Sequence, residues 1–271
     1  MRGTSLASRE ATLAAFAPVL EAAGEEAVSY GKQLLDVVDL LDANGTVRRA
    51  LTDPARDAQA KASLIQGLFG PHVAAAVCTA LVDAIGHRWI RIGDFVSAIE
   101  HLGFVAVFYG ARNGGRLEEV SQELWFASQA LAGQPEVRTA LTDPRADARA
   151  RGELVGSLFA DKVSEEALTL IVRAAAYPRG RHLVPFLQSL SDLGATLRNR
   201  TVAHVTSNTA LSEEQIERIE SILGRKYGRR IQVDVTVDRS VIGGVRIQVG
   251  PDVVDQTVVS RLTDIRRQIA S

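Results

Sequence analysis

The sequence predicts a mainly α-helical chain made of two tandem helical bundles and closed by a small mixed α/β domain. Three observations predict it. Apolar residues recur at three- and four-residue spacing from the N-terminus to about residue 199, the period of helices with one buried face. One segment, Val47-Arg48-Arg49-Ala50-Leu51-Thr52-Asp53-Pro54, returns as Val137-Arg138-Thr139-Ala140-Leu141-Thr142-Asp143-Pro144. Beyond residue 200 the period changes to two: Ile231, Val233, Val235 and Val237 alternate with Gln232, Asp234 and Thr236, as do Val245, Ile247 and Val249 with Arg246 and Gln248.

The elements follow in order. Leu13, Phe16 and Leu20 mark a helix over about Arg9 to Leu20, and Leu34, Val38 and Leu41 a second from about Glu25 to Leu41, closing at Asn44-Gly45. The residue before a proline is biased away from the right-handed helix, so Asp53 and Asp143 end a helix in each copy. Asp57 and Asp147 then cap the next, with Leu64, Leu68 and Phe69, or Leu154, Leu158 and Phe159, expected to face inward. Further helices are expected over about Ala74 to Ile85 and Ile92 to Tyr109, then Leu117 to Leu131, Glu165 to Ala176 and His182 to Asn199. The copies stay in register from Asp57 with Asp147 to Val73 with Val163, and one residue later Leu102-Gly103 matches Leu193-Gly194. A period near 90 residues is that of a small domain rather than a solenoid repeat. Gly110 to Gly115 forms the seam, and the helix ending near Tyr109 can close one copy and open the next. The expected domains are 1–111, 112–199 and 200–271.

In the last of these, Val202 and His204-Val205-Thr206 suggest a strand, and Ser212-Glu213-Glu214-Gln215 is a capping box opening a helix with Ile216, Ile219, Ile222 and Leu223 inside. A β-hairpin from Ile231 to Val249 follows. Asp255 is placed to cap a final helix carrying Val258, Leu262, Ile265 and Ile269.

Composition is that of a globular protein with a sizeable core: 46% hydrophobic, 23% charged, in 271 residues. A formal net charge of −1 gives no global field for nucleic acid or an anionic membrane. The single cysteine, Cys78, permits no intramolecular disulfide and reads as a small buried filler. No run approaches ~20 consecutive apolar residues, and the N-terminus lacks the apolar run of a signal peptide, so a cytosolic or peripherally attached chain is expected.

Catalytic, cofactor and metal sites are expected to be absent. The histidines show no i, i+4 ligand pair and no HExxH; G-x-S-x-G and the phosphate-binding G-x-x-x-x-G-K-[ST] do not occur. Glu118-Glu119 and Glu213-Glu214 sit at helix starts, where they complement the dipole. Arg173, Arg179, Arg181 and His182 form either a solvated helix end or a contact with an acidic partner, Arg179 and Arg181 being the candidates for that contact. Trp89 and Trp125 read as core or domain-interface residues.

The run from Val237 to Leu262, V-D-x-S-x-I-G-G-V-x-I-x-V-G-x-x-V-V-D-x-T-V-x-x-x-L, resembles the C-terminal signature of the δ subunits of F-type ATP synthases, whose mitochondrial relative is the oligomycin-sensitivity-conferring protein. Asp238, Gly243, Gly244, Gly250 and Asp255 carry it as structural residues; Pro251 and Thr257 depart from it without threatening a turn and helix start. The resemblance implies a non-catalytic peripheral-stalk subunit without cofactors, on the cytoplasmic face of the cell membrane and attached to it only through the complex. Its helical part would grip N-terminal helices of the α subunits, and its C-terminal domain would hold the b subunits. The family usually has one helical domain; two resemble the longer actinobacterial form. A helical adaptor of an unrelated complex is the alternative.

Overall fold

The computed structural model describes residues 3–53, 55–142, 147–199, 201–227, 231–238, 245–249 and 252–255. They fall into two compact units, dividing after Ala195.

The first unit is helical: α1 (Thr4–Ala22), a 3-10 turn (Gly24–Glu26), α2 (Ala27–Ala43), α3 (Gly45–Thr52), α4 (Ala58–Phe69), α5 (Ala75–Gly86), α6 (Ile92–Asn113), α7 (Leu117–Ala132), α8 (Pro135–Thr142), α9 (Ala148–Phe159), α10 (Glu165–Ala176) and α11 (Leu183–Asn199), whose last residues pass into the second unit. The repeat is visible in the elements themselves. Helices α3, α4 and α5 have the same lengths as α8, α9 and α10, each pair starting 90 positions apart. Asp57 caps α4 by accepting from the Ala60 amide at 2.8 Å. Asp147 holds the same position on α9, but its side chain makes no cap hydrogen bond, and Ser164 caps α10 instead.

Helix α6 is the axis of this unit. Fifteen of its residues, Phe95 to Ala111 with Ser97 and His101 excepted, are buried, against α1, α2, α7 and α10. By length and composition it is apolar enough to cross a bilayer, yet 72% of its apolar window lies inside the fold. It runs without a break to Asn113, so four of the six seam residues are helical and only Gly114, Gly115 and Arg116 connect to α7. Helix α6 thus runs through the boundary expected near residue 111 and packs against helices on both sides of it, α1 and α2 before and α7 and α10 after.

Glycine explains how α2 comes so close to it. A Cβ on Gly31 would stand 2.7 Å from the Gly103 carbonyl oxygen, and one on Gly110 2.9 Å from the Val28 amide nitrogen, distances real Cβ atoms do not show. In the second repeat the matching crossing is α7 on α11: Ser121 takes the place of Gly31, and Gly194 that of Gly103. A Cβ on Gly194 would collide with the Ser121 side chain and lie 2.8 Å from Phe108.

Several expectations are corrected. Phe69 and Phe159 face inward as expected, but Leu68 and Leu154 are exposed, Leu64 and Leu158 are half-buried, and Ile65 and Val155 take the inward positions. Cys78 is only half-buried. Trp125 is 48% exposed, whereas Trp89 packs edge-on against Phe95 at 5.8 Å.

The second unit contains β1 (Thr201–Ser207), α12 (Glu213–Tyr227), β2 (Ile231–Val237), β3 (Val245–Val249) and β4 (Asp252–Asp255). The capping box is present: Ser212 Oγ accepts from the Gln215 amide at 3.3 Å, and the Ser212 amide donates to Gln215 Oε1 at 2.9 Å. Leu223 joins Ala203, Val205, Ile231 and Val233 in the core with Ile216 and Ile219 against it, but Ile222 turns outward. The sheet order β2-β1-β3-β4 overturns the expected pairing. Strands β2 and β3 are not neighbours. Crossover through α12 lays β2 parallel to β1, Val205 opposite Val235, and β3 takes the other side of β1 antiparallel, Val205 opposite Ile247. The hairpin is β3–β4, with Val249 opposite Asp252 and Gly250-Pro251 between them. Asp255 therefore ends a strand, paired with Arg246; the helix expected after it lies outside the described residues.

Candidate functional site: the seam between the repeats

Helix α2 carries a polar stripe, Lys32, Asp39 and Asp42, with Glu25 in the turn before it; positions three and seven apart lie along one side of a helix. Every one of these meets a charge from the second repeat. Lys32 Nζ lies 2.7 Å from Glu165, Arg173 Nη1 2.6 Å from Asp39, Arg179 Nε 2.8 Å from Asp42, and Arg116 bridges Glu25 and Glu166. Below them Glu100 of α6, its side chain 4% exposed, receives Arg179 at 3.1 Å and Arg181 at 2.6 Å. The backbone turns for this at Arg179 and Gly180, both at positive φ, 49° and 78°. Arg181 also stacks on Phe186, and Arg173 on Tyr177.

Arg173 is buried, which excludes the solvated helix end. Burial raises the Asp39 carboxyl above its ordinary range despite the Arg173 guanidinium beside it, and the Asp39 charge in turn raises the Tyr177 hydroxyl. On the exposed side the hydrogen bond from Lys32 lowers Glu165. Buried pairs of this kind add little net stability over an apolar replacement, but losing one partner strands the other. The seam is therefore a register device: it fits only one relative placement of α2 and α10.

Between α2 and α10 lies a groove of about 500 Å³ lined by Leu35, Leu168, Val172 and Tyr177, with Asp36 and Arg173 also in the lining. It shares Lys32 and Glu165 with a second hollow of about 590 Å³ beside Val28 and Arg116. A lining that mixes apolar side chains with charges suits an amphipathic helix. Asp36, at the solvent edge, has its carboxyl raised by the protein around it more than Arg173 lowers it. A raised carboxyl gives stability that is full below its ordinary value of 3.8 and is lost as pH rises through the folded value. Asp36→Asn should therefore raise the urea midpoint at about pH 7, by less than ~1 kcal/mol because the group is exposed, and leave it unchanged at about pH 3. A gain that persists in acid would contradict this.

Of the signature residues, Asp238 follows β2 and donates its amide to the Ser207 carbonyl at 2.8 Å, and Asp255 closes β4. Gly243, Gly244 and Gly250 lie outside the described residues. Arg179 and Arg181 are engaged within the chain, at the seam. The periodicities did not reveal the seam itself. Gly31, isolated in a helical pattern, was the available signal of a close helix crossing.

Residues 105–269 match the family described as the ATP synthase delta (OSCP) subunit. The chain belongs to that family. The matched span opens inside α6 and covers the second repeat and the C-terminal unit; the first repeat lies before it. The δ-family relatives nevertheless match at full length. ATP synthase subunit delta of Beutenbergia cavernae is 40% identical over 270 residues, covering 100% of both chains. That of Streptomyces avermitilis is 38% identical, covering 98% of each. A chain of the Toxoplasma gondii mitochondrial ATP synthase hexamer aligns over 62% of this chain and 95% of its own at 20% identity, with a TM-score of 0.29, too low to bear on the fold.

Proposed function

We propose that this chain is a non-catalytic peripheral-stalk subunit of the proton-translocating ATP synthase. It links the N-terminal helices of the α subunits on the catalytic head to the b subunits and resists rotor torque. It sits at the cytoplasmic face of the cell membrane, held there only through the complex. Family membership makes it an ATP synthase subunit; the observation that carries the mechanical role is the seam. Six charged contacts and a glycine crossing hold two helical repeats in one register, which is what a brace requires and what a flexible adaptor would lack. The helical unit grips the head, with the groove between α2 and α10 a candidate seat for an α-subunit helix, and the C-terminal unit holds the stalk.

Reconstitution tests the coupling role. Complexes assembled without this chain should keep hydrolysing ATP but lose ATP-driven proton pumping, and adding the chain should restore it. Pumping that needs no chain would sink the proposal. Titration with a peptide of the α N-terminus reports how many helices it holds: about two per chain for capture by both repeats, about one if the first repeat braces the stalk. No binding would count against the head contact.

A further inference from the structure

In the first repeat, a hollow of about 1130 Å³ opens between the start of α1, the α3–α4 loop and the segment after α5. Four cations line it, Arg49, Arg56, Lys61 and Arg88, and among the described residues none of them is ion-paired. Among the described residues Asp53 is the one acid in the lining, and its carboxylate already accepts from the Ala55 amide at 2.9 Å. Apolar surface lies beside the charge: Ile90 is 61% exposed and Ile92 40%. Trp89 lines the same wall, held by its indole N–H donating to the Ala84 carbonyl at 2.9 Å.

The second repeat shows that the fold does not need these cations. At the matching positions stand Thr139 for Arg49, Ala146 for Arg56 and Pro178 for Arg88. The fourth, Arg151 for Lys61, is turned onto the Ala175 and Ala176 carbonyls at 3.1 and 2.9 Å. The set of four cations is therefore not repeated at the matching positions of the second copy. Its size also speaks to what fills it. A helix 10–12 Å across with a 5.4 Å pitch would place roughly two to three turns in this volume. A lone phosphate would fill a small part of it and leave Ile90 and Ile92 uncovered.

We propose that this hollow docks an amphipathic helix of a partner subunit whose apolar stripe is flanked by Asp and Glu. The stripe would cover Ile90 and Ile92, and the carboxylates would pair with Arg49, Arg56, Lys61 and Arg88. Such docking is separate from the groove between α2 and α10 and holds whether or not the stalk role does.

The two tryptophans make the test direct. In the full chain carrying Trp125→Phe, Trp89 is the single indole and reports on the hollow. The probe is a synthetic amphipathic peptide of about five turns with leucines at helical spacing and glutamate flanks. A twin with lysine flanks, inorganic phosphate and a short DNA duplex serve as competitors. Saturable change in Trp89 emission is expected with the glutamate peptide alone. It should weaken at least about tenfold in Arg49→Glu/Arg88→Glu, weaken in Ile90→Ser, and weaken with added salt. All three positions are exposed, and far-UV circular dichroism verifies that the helices remain. Equal binding of the lysine twin, an unaffected double variant, or saturation by phosphate or DNA in place of the glutamate peptide would each overturn the proposal.

Discussion

Gly31→Val should destabilise the helical unit by about 3 kcal/mol or more, at the upper end of what overpacking costs. The added Cβ meets the Gly103 carbonyl oxygen at 2.7 Å and the Val107 amide nitrogen at 3.0 Å. Those are backbone atoms of α6 and cannot swing aside as a side-chain tip can. Relief requires α2 to lift, and lifting it pulls Asp39 and Lys32 from their partners on α10. Gly67 provides the control. It is also inside a helix, with nothing within 4 Å of its missing Cβ, so Gly67→Ala should stabilise by about 0.5–1 kcal/mol. Urea unfolding of both variants decides the matter; shifts of the same sign would remove the crossing from the explanation.

Glu100→Ala should cost about 3–5 kcal/mol, the range for removing one partner of a buried ion pair. Its carboxylate takes hydrogen bonds from Arg179 Nη1 at 3.1 Å and from Arg181 Nη1 and Nη2 at 3.0 and 2.6 Å. Without it, Arg179 keeps Asp42, and among the described residues Arg181 keeps the Pro178 carbonyl and the Phe186 ring. A double-mutant cycle of Glu100→Gln with Arg181→Gln isolates the pair, and the double variant should lose less than the sum of the singles. Additive losses would mean that the contact is not coupled.

Helix positions were readable in the sequence because each is set by neighbours a few residues away. The Ser212 capping box and the Asp57 cap are local chemistry, and both form as read. The strands were legible as strands for the same reason. Their partners were not, since alternation at β2 and β3 fixes a buried face but says nothing about which edge a neighbour takes. Strand β1, some thirty residues earlier in the chain, fills the place between them. On α4 and α9 the phenylalanines Phe69 and Phe159 face inward as their spacing implies, but the buried partner on each face is the β-branched Ile65 or Val155, four residues earlier, and not Leu68 or Leu154. Arg179 and Arg181 were recognisable as a cationic pair; their acids, Asp42 and Glu100, are more than seventy residues away in sequence, and no local pattern links them.

The shared helix has a consequence for how force travels. Two domains joined by a loop pass load through whatever surface they press together, and a loop slackens before that surface engages. Here the repeats are joined by 22 residues of unbroken helix, a rod of about 33 Å at 1.5 Å per residue. A pull entering one repeat reaches the other through covalent backbone and its ladder of peptide hydrogen bonds, with no slack to take up first. The charged contacts from α2 then act as cross-ties that keep the rod from rolling. Stiffness along α6 is therefore set by that helix, while the charged contacts set how the helices on either side of it are held against it.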